Sequence, residues 1–518
     1  MSPVGPKGTY KDWSNNTHND WWKDPGLRKN VGWCVVLYCG LFQLGFAFNL
    51  INVLQTLPRW REYFGNPTGN HLGAILAASA FPVIIIAPII SMLTDYLGRI
   101  RTIVLGSSIL AVGSLLGAFS QNEPMFVVGR VLTGASAELM YVPCICLIAE
   151  LAHPRIRGIV TTFNGCIYYV GTSLSAWIAF GTLHWDSNWS WRLPVLLQIM
   201  FPTTLLLASI RCPESPRWLI SQGRNEEALN VLAELHANGD KDDELVRNEL
   251  LEITSYVERD KEAKQTSWSS LFATPGNRKR LAVIMIIAAG TMLNGSVSIG
   301  SYMTPMLGLV GVTDPQQISI VNGVMAVWSF FTSATAALYV NKFGRRPLWI
   351  TSTVLVTIFV IIITALAAVY DAGINTSKEL GYAFVAMLFL QHGSSAMAWN
   401  LLMHSYTAEI LPFSIRAKAL AFFEFTQYVL LSLQLFVNPI ALENARWKYF
   451  LLSVCVNVIL IFLVLKLFIE TKGRTMEQVA ALFDKPNPVK AADSESGASG
   501  SSTPPNEYEE EDVKRRSF

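Results

Sequence analysis

The chain has 518 residues, with 40 Lys and Arg against 38 Asp and Glu. Its net charge of +2 gives no sign of a nucleic-acid partner. It is 51% hydrophobic and only 15% charged, with a mean hydropathy of +0.34, whereas a soluble chain carries about 25% charged residues. An ordinary soluble domain is excluded.

Residues 1–30 are polar, offer no cleavable signal peptide and are expected to form a cytoplasmic segment. About twelve stretches follow, each long enough to cross a hydrocarbon core of about 30 Å. They lie near 31–52, 71–93, 102–121, 124–148, 158–181 and 192–211, then near 280–304, 318–340, 347–369, 381–407, 417–440 and 447–469. Lipid cannot satisfy irregular backbone, so these must be helices. The expected fold class is an all-α membrane protein with twelve transmembrane helices. The polar insertion 212–279 reads as a cytoplasmic loop between two six-helix bundles, 31–211 and 280–469. Within it, Asn225 to Leu235 is amphipathic, which predicts short surface helices. Residues 470–518 read as a cytoplasmic tail, rich in Ser, Gly, Pro and Glu and disordered after about 485. The seven cysteines lack disulfide or metal spacing and read as small buried hydrophobes.

The two bundles repeat a charged pattern. Asp95-Tyr96-Leu97-Gly98-Arg99-Ile100-Arg101 is answered by Asn341-Lys342-Phe343-Gly344-Arg345-Arg346. Glu150, followed at the seventh position by Arg157, is answered by Glu409 and Arg416. Each patch sits where a spanning chain would turn. A repeat of roughly 250 residues with basic turns on one side is what a rocking-bundle transporter needs. The same side gathers Arg101, Arg155, Lys342, Arg346 and Lys418 and the N-terminal Lys23, Arg28 and Lys29. By the positive-inside rule that side is cytoplasmic, with both termini inside.

Pro213-Glu214-Ser215-Pro216-Arg217-Trp218-Leu219 after the sixth span resembles the hallmark of the sugar porter family of the major facilitator superfamily. So do Glu150 to Gly158, Glu409 to Lys418, and Glu470-Thr471-Lys472-Gly473, and the resemblance covers roughly 23–480. Trp22 to Arg28, Leu151 to Pro154, His236 to Asp240 and Asn438 to Leu442 resemble its fungal lactose and cellodextrin permease branch. The resemblance implies two six-helix pseudo-repeats in the major facilitator fold. It also implies a cytoplasmic gate made of Asp95, Arg99, Glu150, Arg157, Glu214, Arg217, Arg345, Glu409, Arg416 and Glu470. Such groups are expected to pair across the bundles when the inner side closes. Single exposed pairs contribute only about 0–1 kcal/mol, but a network can set conformational populations.

Charge inside the spans is rare, because each ionisable group at membrane depth costs at least about 2.5–3.5 kcal/mol. Arg130, Glu138 and Glu424 are therefore the proton-coupling candidates. The resemblance pairs Arg130 with a carboxylate on the first helix, yet the family's Gly-aromatic-Asp reads Gly45-Phe46-Ala47 here. Glu138 lies about 80° around the helix from Arg130 and about 12 Å along it, too far to pair but able to line the same cavity. Glu424 and Gln427 share a helical face.

Sugar recognition needs amides and hydroxyls set in apolar walls. Gln427 and Tyr428 match the family's Gln and aromatic on the eleventh span. The seventh span, where the family has Gln-Gln and Asn, offers Thr291, Met292, Asn294, Ser296 and Ser298. Asn164 is the fifth-span candidate. Asn400 and His404 bound the stretch that replaces the family's Gly-Pro-x-x-Trp, and His404 is a further coupling candidate because it titrates near neutral pH.

The expected function is alternating-access transport of a mono-, di- or oligosaccharide, with protons as a candidate co-substrate. The expected protein is a monomer in the plasma membrane. A non-transporting sugar sensor and a carrier of a non-sugar metabolite remain open. No Ser/His/Asp arrangement, metal cluster or phosphate loop points to an enzyme, a cofactor or a metal.

Overall fold

The computed structural model describes residues 13–18, 20–264, 267–301, 303–472, 479 and 482–483. The expected disordered stretch after 485, Gly473 and residues 1–12 lie outside these. Every regular element among the described residues is helical.

Nine segments among the described residues are long and apolar enough to cross a membrane. The last, Lys418–Leu467, holds two helices, Phe413–Ala445 and Phe450–Leu467, parted by a 3-10 turn at Arg446–Tyr449. Pro154–Thr182 and Lys378–Ser395 complete the twelve; both are diluted by polar residues, such as Asn164 and Thr172 in one and Lys378, Glu379 and Gln391 in the other. The first helix begins at Pro25 rather than 31. Asp24 caps it, accepting from Leu27 N at 2.9 Å, and Pro25 fits the first turn, where no N–H partner is needed.

Four spans are broken. The second is Gly69–Ala77 and Phe81–Leu97, and the sixth is Trp189–Leu197 and Met200–Ser209. The seventh stops at Leu293 and resumes at Ser296, because Gly295 takes a φ of +98°. The tenth passes through a π turn at Ala396–Asn400 before Met403–Ile410. Between the sixth and seventh spans lie helices Pro216–Ser221, Asn225–His236, Glu244–Lys264 and Ser270–Ala273. The 21-residue Glu244–Lys264 is longer than the short surface helices expected.

Packing differs between the two ends of the bundle. At the end remote from the charged turns, one core joins both halves: Leu50, Ile51 and Leu54 pack with Ile299, Met303, Ile318 and Leu435. At the charged end each half keeps its own core, around Leu37, Ile103 and Leu147 in one and Ile284, Trp349 and Tyr406 in the other. The halves are therefore sealed together at the far end and separate toward the charged end.

Candidate functional site

Mid-bundle polar groups meet where the two halves face each other. Tyr428 donates its hydroxyl to Glu138, and Asn400 Nδ2 donates to the Tyr169 hydroxyl at 3.2 Å. Both bonds cross between halves. Beside them, His404 Nδ1 lies 3.3 Å from Glu424 Oε1, linking the tenth and eleventh spans. Gln427 is almost fully buried and has only Met403 Sδ, at 3.6 Å, near its amide nitrogen. Asn400 closes the π turn Ala396–Asn400, and His404 lies in the first turn of the helix that follows it.

Arg130 and Glu138 line one small cavity with Ala47, Ser79 and Gly134. Arg130 donates to Ser79 Oγ at 2.9 Å, and among the described residues no carboxylate lies within ion-pair distance of it. The broken second span supplies that partner. A Cβ at Gly134 would fall 1.9 Å from Ser79 O, so only glycine lets the fourth helix approach the break this closely. Ser79 and Tyr169 carry no distinctive sequence signal, since hydroxyls are common in spans.

Asn294 sits elsewhere. It is fully buried, donates to Ser395 Oγ at 3.3 Å and accepts from Ser296 N at 2.9 Å. Asn457 donates to Asn294 O, Gln391 to Ser296 Oγ and Asn438 to Ser298 Oγ, each within the C-terminal half. Two of these bonds satisfy backbone groups at the helix break, Ser296 N and Asn294 O, and the others tie the seventh span to neighbours in its own half. Trp399 is wholly buried against Trp349 and does not reach the interface. Asn164 Oδ1 is buried, with no hydrogen-bond partner among the described residues.

The charged end repeats its geometry in each half. Arg99 makes a two-pronged contact with Glu150, both bonds at 3.1 Å, and lies 3.6 Å from Asp95. Arg345 pairs with Glu409 at 3.0 Å. Glu214 accepts from the N–H groups of Arg99 and Ile100, and Glu470 from those of Arg345 and Arg346. Both acids cap helices that start after a glycine of positive φ, Gly98 (+93°) and Gly344 (+94°). Burial alone would raise the Glu470 carboxyl, but the N–H groups of Lys472, Arg345, Arg346 and Thr471 outweigh it and hold it below the usual range. Arg157 and Arg416 each donate to a carbonyl five residues earlier, Ala152 O and Leu411 O. Arg157 also pairs with Glu249 at 3.2 Å, and Arg217 lies 4.1 Å over the Tyr256 ring.

Cross-bundle pairing is expected of a closed inner side, whereas here the charged ends of the two halves keep separate cores. Arg99 with Glu150, and Arg345 with Glu409, pair inside their own halves. Each arginine opens a helix directly beside the end of the next span of the same bundle, so the same-half acid is the nearer partner. Nor are they surface pairs: the Arg99 and Glu150 side chains are each only 10% exposed.

A duplicated, capped charge turn on two six-helix halves is a family trait that can be checked directly. The family described as "Sugar (and other) transporter" matches residues 33–483. The chain belongs to that family. Its relatives include the MFS-type transporter criB of Aspergillus cristatus, 27% identical over 88% of this chain and 94% of that one. The high-affinity glucose transporter of Kluyveromyces lactis is 26% identical over 85% of this chain and 83% of its own length. The inward-open xylose transporter XylE from E. coli matches with a TM-score of 0.71 at 20% identity, covering 88% of this chain and all of that one. That likeness establishes the major facilitator fold. This transporter is therefore an integral, multi-pass membrane protein whose class moves solutes rather than converting them.

Proposed function

We propose that this transporter carries a sugar by alternating access, binding it between the halves at Gln427, Tyr428, Asn400, His404 and Asn164. The observation that carries this reading is the pair of mid-bundle bonds between halves, Tyr428 to Glu138 and Asn400 to Tyr169. A polyhydroxylated solute entering there replaces those bonds with its own, so binding couples directly to separation of the halves. The relatives named for glucose support the substrate class. The charged end is the cytoplasmic one, both termini are cytoplasmic, and the monomer works in the plasma membrane.

Coupling to protons is assigned to Glu138 and to the His404–Glu424 pair, since the first helix offers Ala47 where a carboxylate would stand. Uptake of a labelled sugar panel in transporter-deficient cells, with and without a proton gradient, tests both parts. Gradient-dependent uptake that is weakened by Glu138→Gln or His404→Ala supports them. Uptake indifferent to the gradient removes the coupling, and sugar binding without uptake turns the protein into a sensor. A second reading, a carrier of a non-sugar metabolite, is favoured by the seventh-span groups being bonded within their own half. A saturable non-sugar substrate with no sugar uptake would select it.

A further inference from the structure

Arg130 is only 5% exposed, and among the described residues its Nε has no hydrogen-bond partner. Its one side-chain bond goes to the Ser79 hydroxyl, whose own proton reaches only Leu76 O at 3.4 Å. A buried cation without a counter-charge is among the most costly arrangements a protein can hold. The guanidinium lines a cavity whose other walls include Ala47, Phe48, Val83, Thr133, Gly134 and Ala137, and Glu138 lines it as well.

We propose that this cavity binds a small monovalent anion of chloride size beside Arg130. The space open to the centre of a water-sized particle is about 20 Å³, room for one or two such particles at roughly 10–15 Å³ each. A space of that size suits a single small ion rather than phosphate, sulfate or an organic acid. Water alone would solvate the guanidinium but leave its charge uncompensated. The anion takes donors from Arg130 and from Ser79, whose hydroxyl turns from its long carbonyl contact. Glu138 does not compete for the place: its carboxylate accepts from Tyr428 across the interface, and its backbone stands two turns along the helix from Arg130.

Thermal unfolding of the purified full-length protein tests this without reference to the transported solute. Sodium chloride is titrated against sodium methanesulfonate at fixed ionic strength. The expected result is a saturable rise in Tm of about 2 °C with chloride or bromide and none with methanesulfonate. Ala47→Asp places a tethered carboxylate in the cavity and is expected to melt at or above chloride-saturated wild type, with no anion response. Ala47→Val fills the cavity and is expected to lose the response as well, which keeps the test open if the aspartate variant does not fold. Wild type indifferent to the choice of anion overturns the proposal. So does a full chloride response retained in either variant.

Discussion

At the scale of single residues, the Tyr428–Glu138 bond is the contact with most at stake. Glu138 is only 4% exposed, and Tyr428 is the donor it has among the described residues. Tyr428→Phe leaves a buried carboxyl unsatisfied, which costs about 1–3 kcal/mol. Uptake of the best substrate is expected to fall at least about fivefold. The two groups act as one unit, so Tyr428→Phe combined with Glu138→Gln should lose less than the two single losses added. A double-mutant cycle on initial uptake rates measures this, and strictly additive losses would mean that the bond is not used. Glu138, Glu424, His404 and Gln427 were legible in the sequence because ionisable and amide groups stand out in apolar runs. Their partners were not: a serine or tyrosine in a span is ordinary, and only the fold brings Ser79 to Arg130 and Tyr169 to Asn400. Asn294 stood out equally well, yet it serves a helix break inside one half.

At the scale of elements, the twelve helices follow from hydrophobic length, whereas their interruptions follow from local backbone chemistry. Asn294-Gly295 is a turn signal inside an apolar run, and it does mark the break in the seventh span. The π turn in the tenth has no comparable signature. The capped turns at Gly98 and Gly344 offer a matched test of the repeat. A side chain at either position meets a positive φ and a carboxylate oxygen 2.6 Å from the new Cβ, Glu214 in one half and Glu470 in the other. At Gly295 the nearest atom lies 3.6 Å away, so only the backbone penalty of about 1 kcal/mol applies. Gly98→Ala and Gly344→Ala are therefore expected to lower thermal stability by similar amounts, each more than Gly295→Ala does. Melting curves of the three purified variants check the order. A Gly295→Ala loss as large as the other two would refute the idea that the caps add to the strain.

At the scale of the whole molecule, the state adopted reflects an imbalance between its two ends. The far end holds the shared apolar core and three polar contacts between halves: Asn52 Nδ2 to Asn322 Oδ1 at 3.0 Å, Gln55 Nε2 to Ser301 O at 3.2 Å, and Thr56 with Ser319 at 3.1 Å. The charged end spends Arg99, Glu150, Arg345 and Glu409 on pairs within each half, which brace each bundle as a rigid body instead of clamping the two together. The repeated motifs mark the two halves in the sequence, but not which end would be shut. That depends on weak amide and hydroxyl contacts with no motif of their own. Removing one such contact shifts the balance by about 1 kcal/mol, roughly a fivefold change in population. Asn52→Ala is accordingly expected to enrich the form open at the far end. Spin labels at Asp186 and Ile374, exposed far-end loop positions in opposite halves, report it as a longer-distance population. Glu150→Gln acts on a buried bidentate pair within one half, so its main effect should be lower stability with the label distances unchanged. A distance shift from Glu150→Gln as large as that from Asn52→Ala would instead make the charged pairs the conformational clamp.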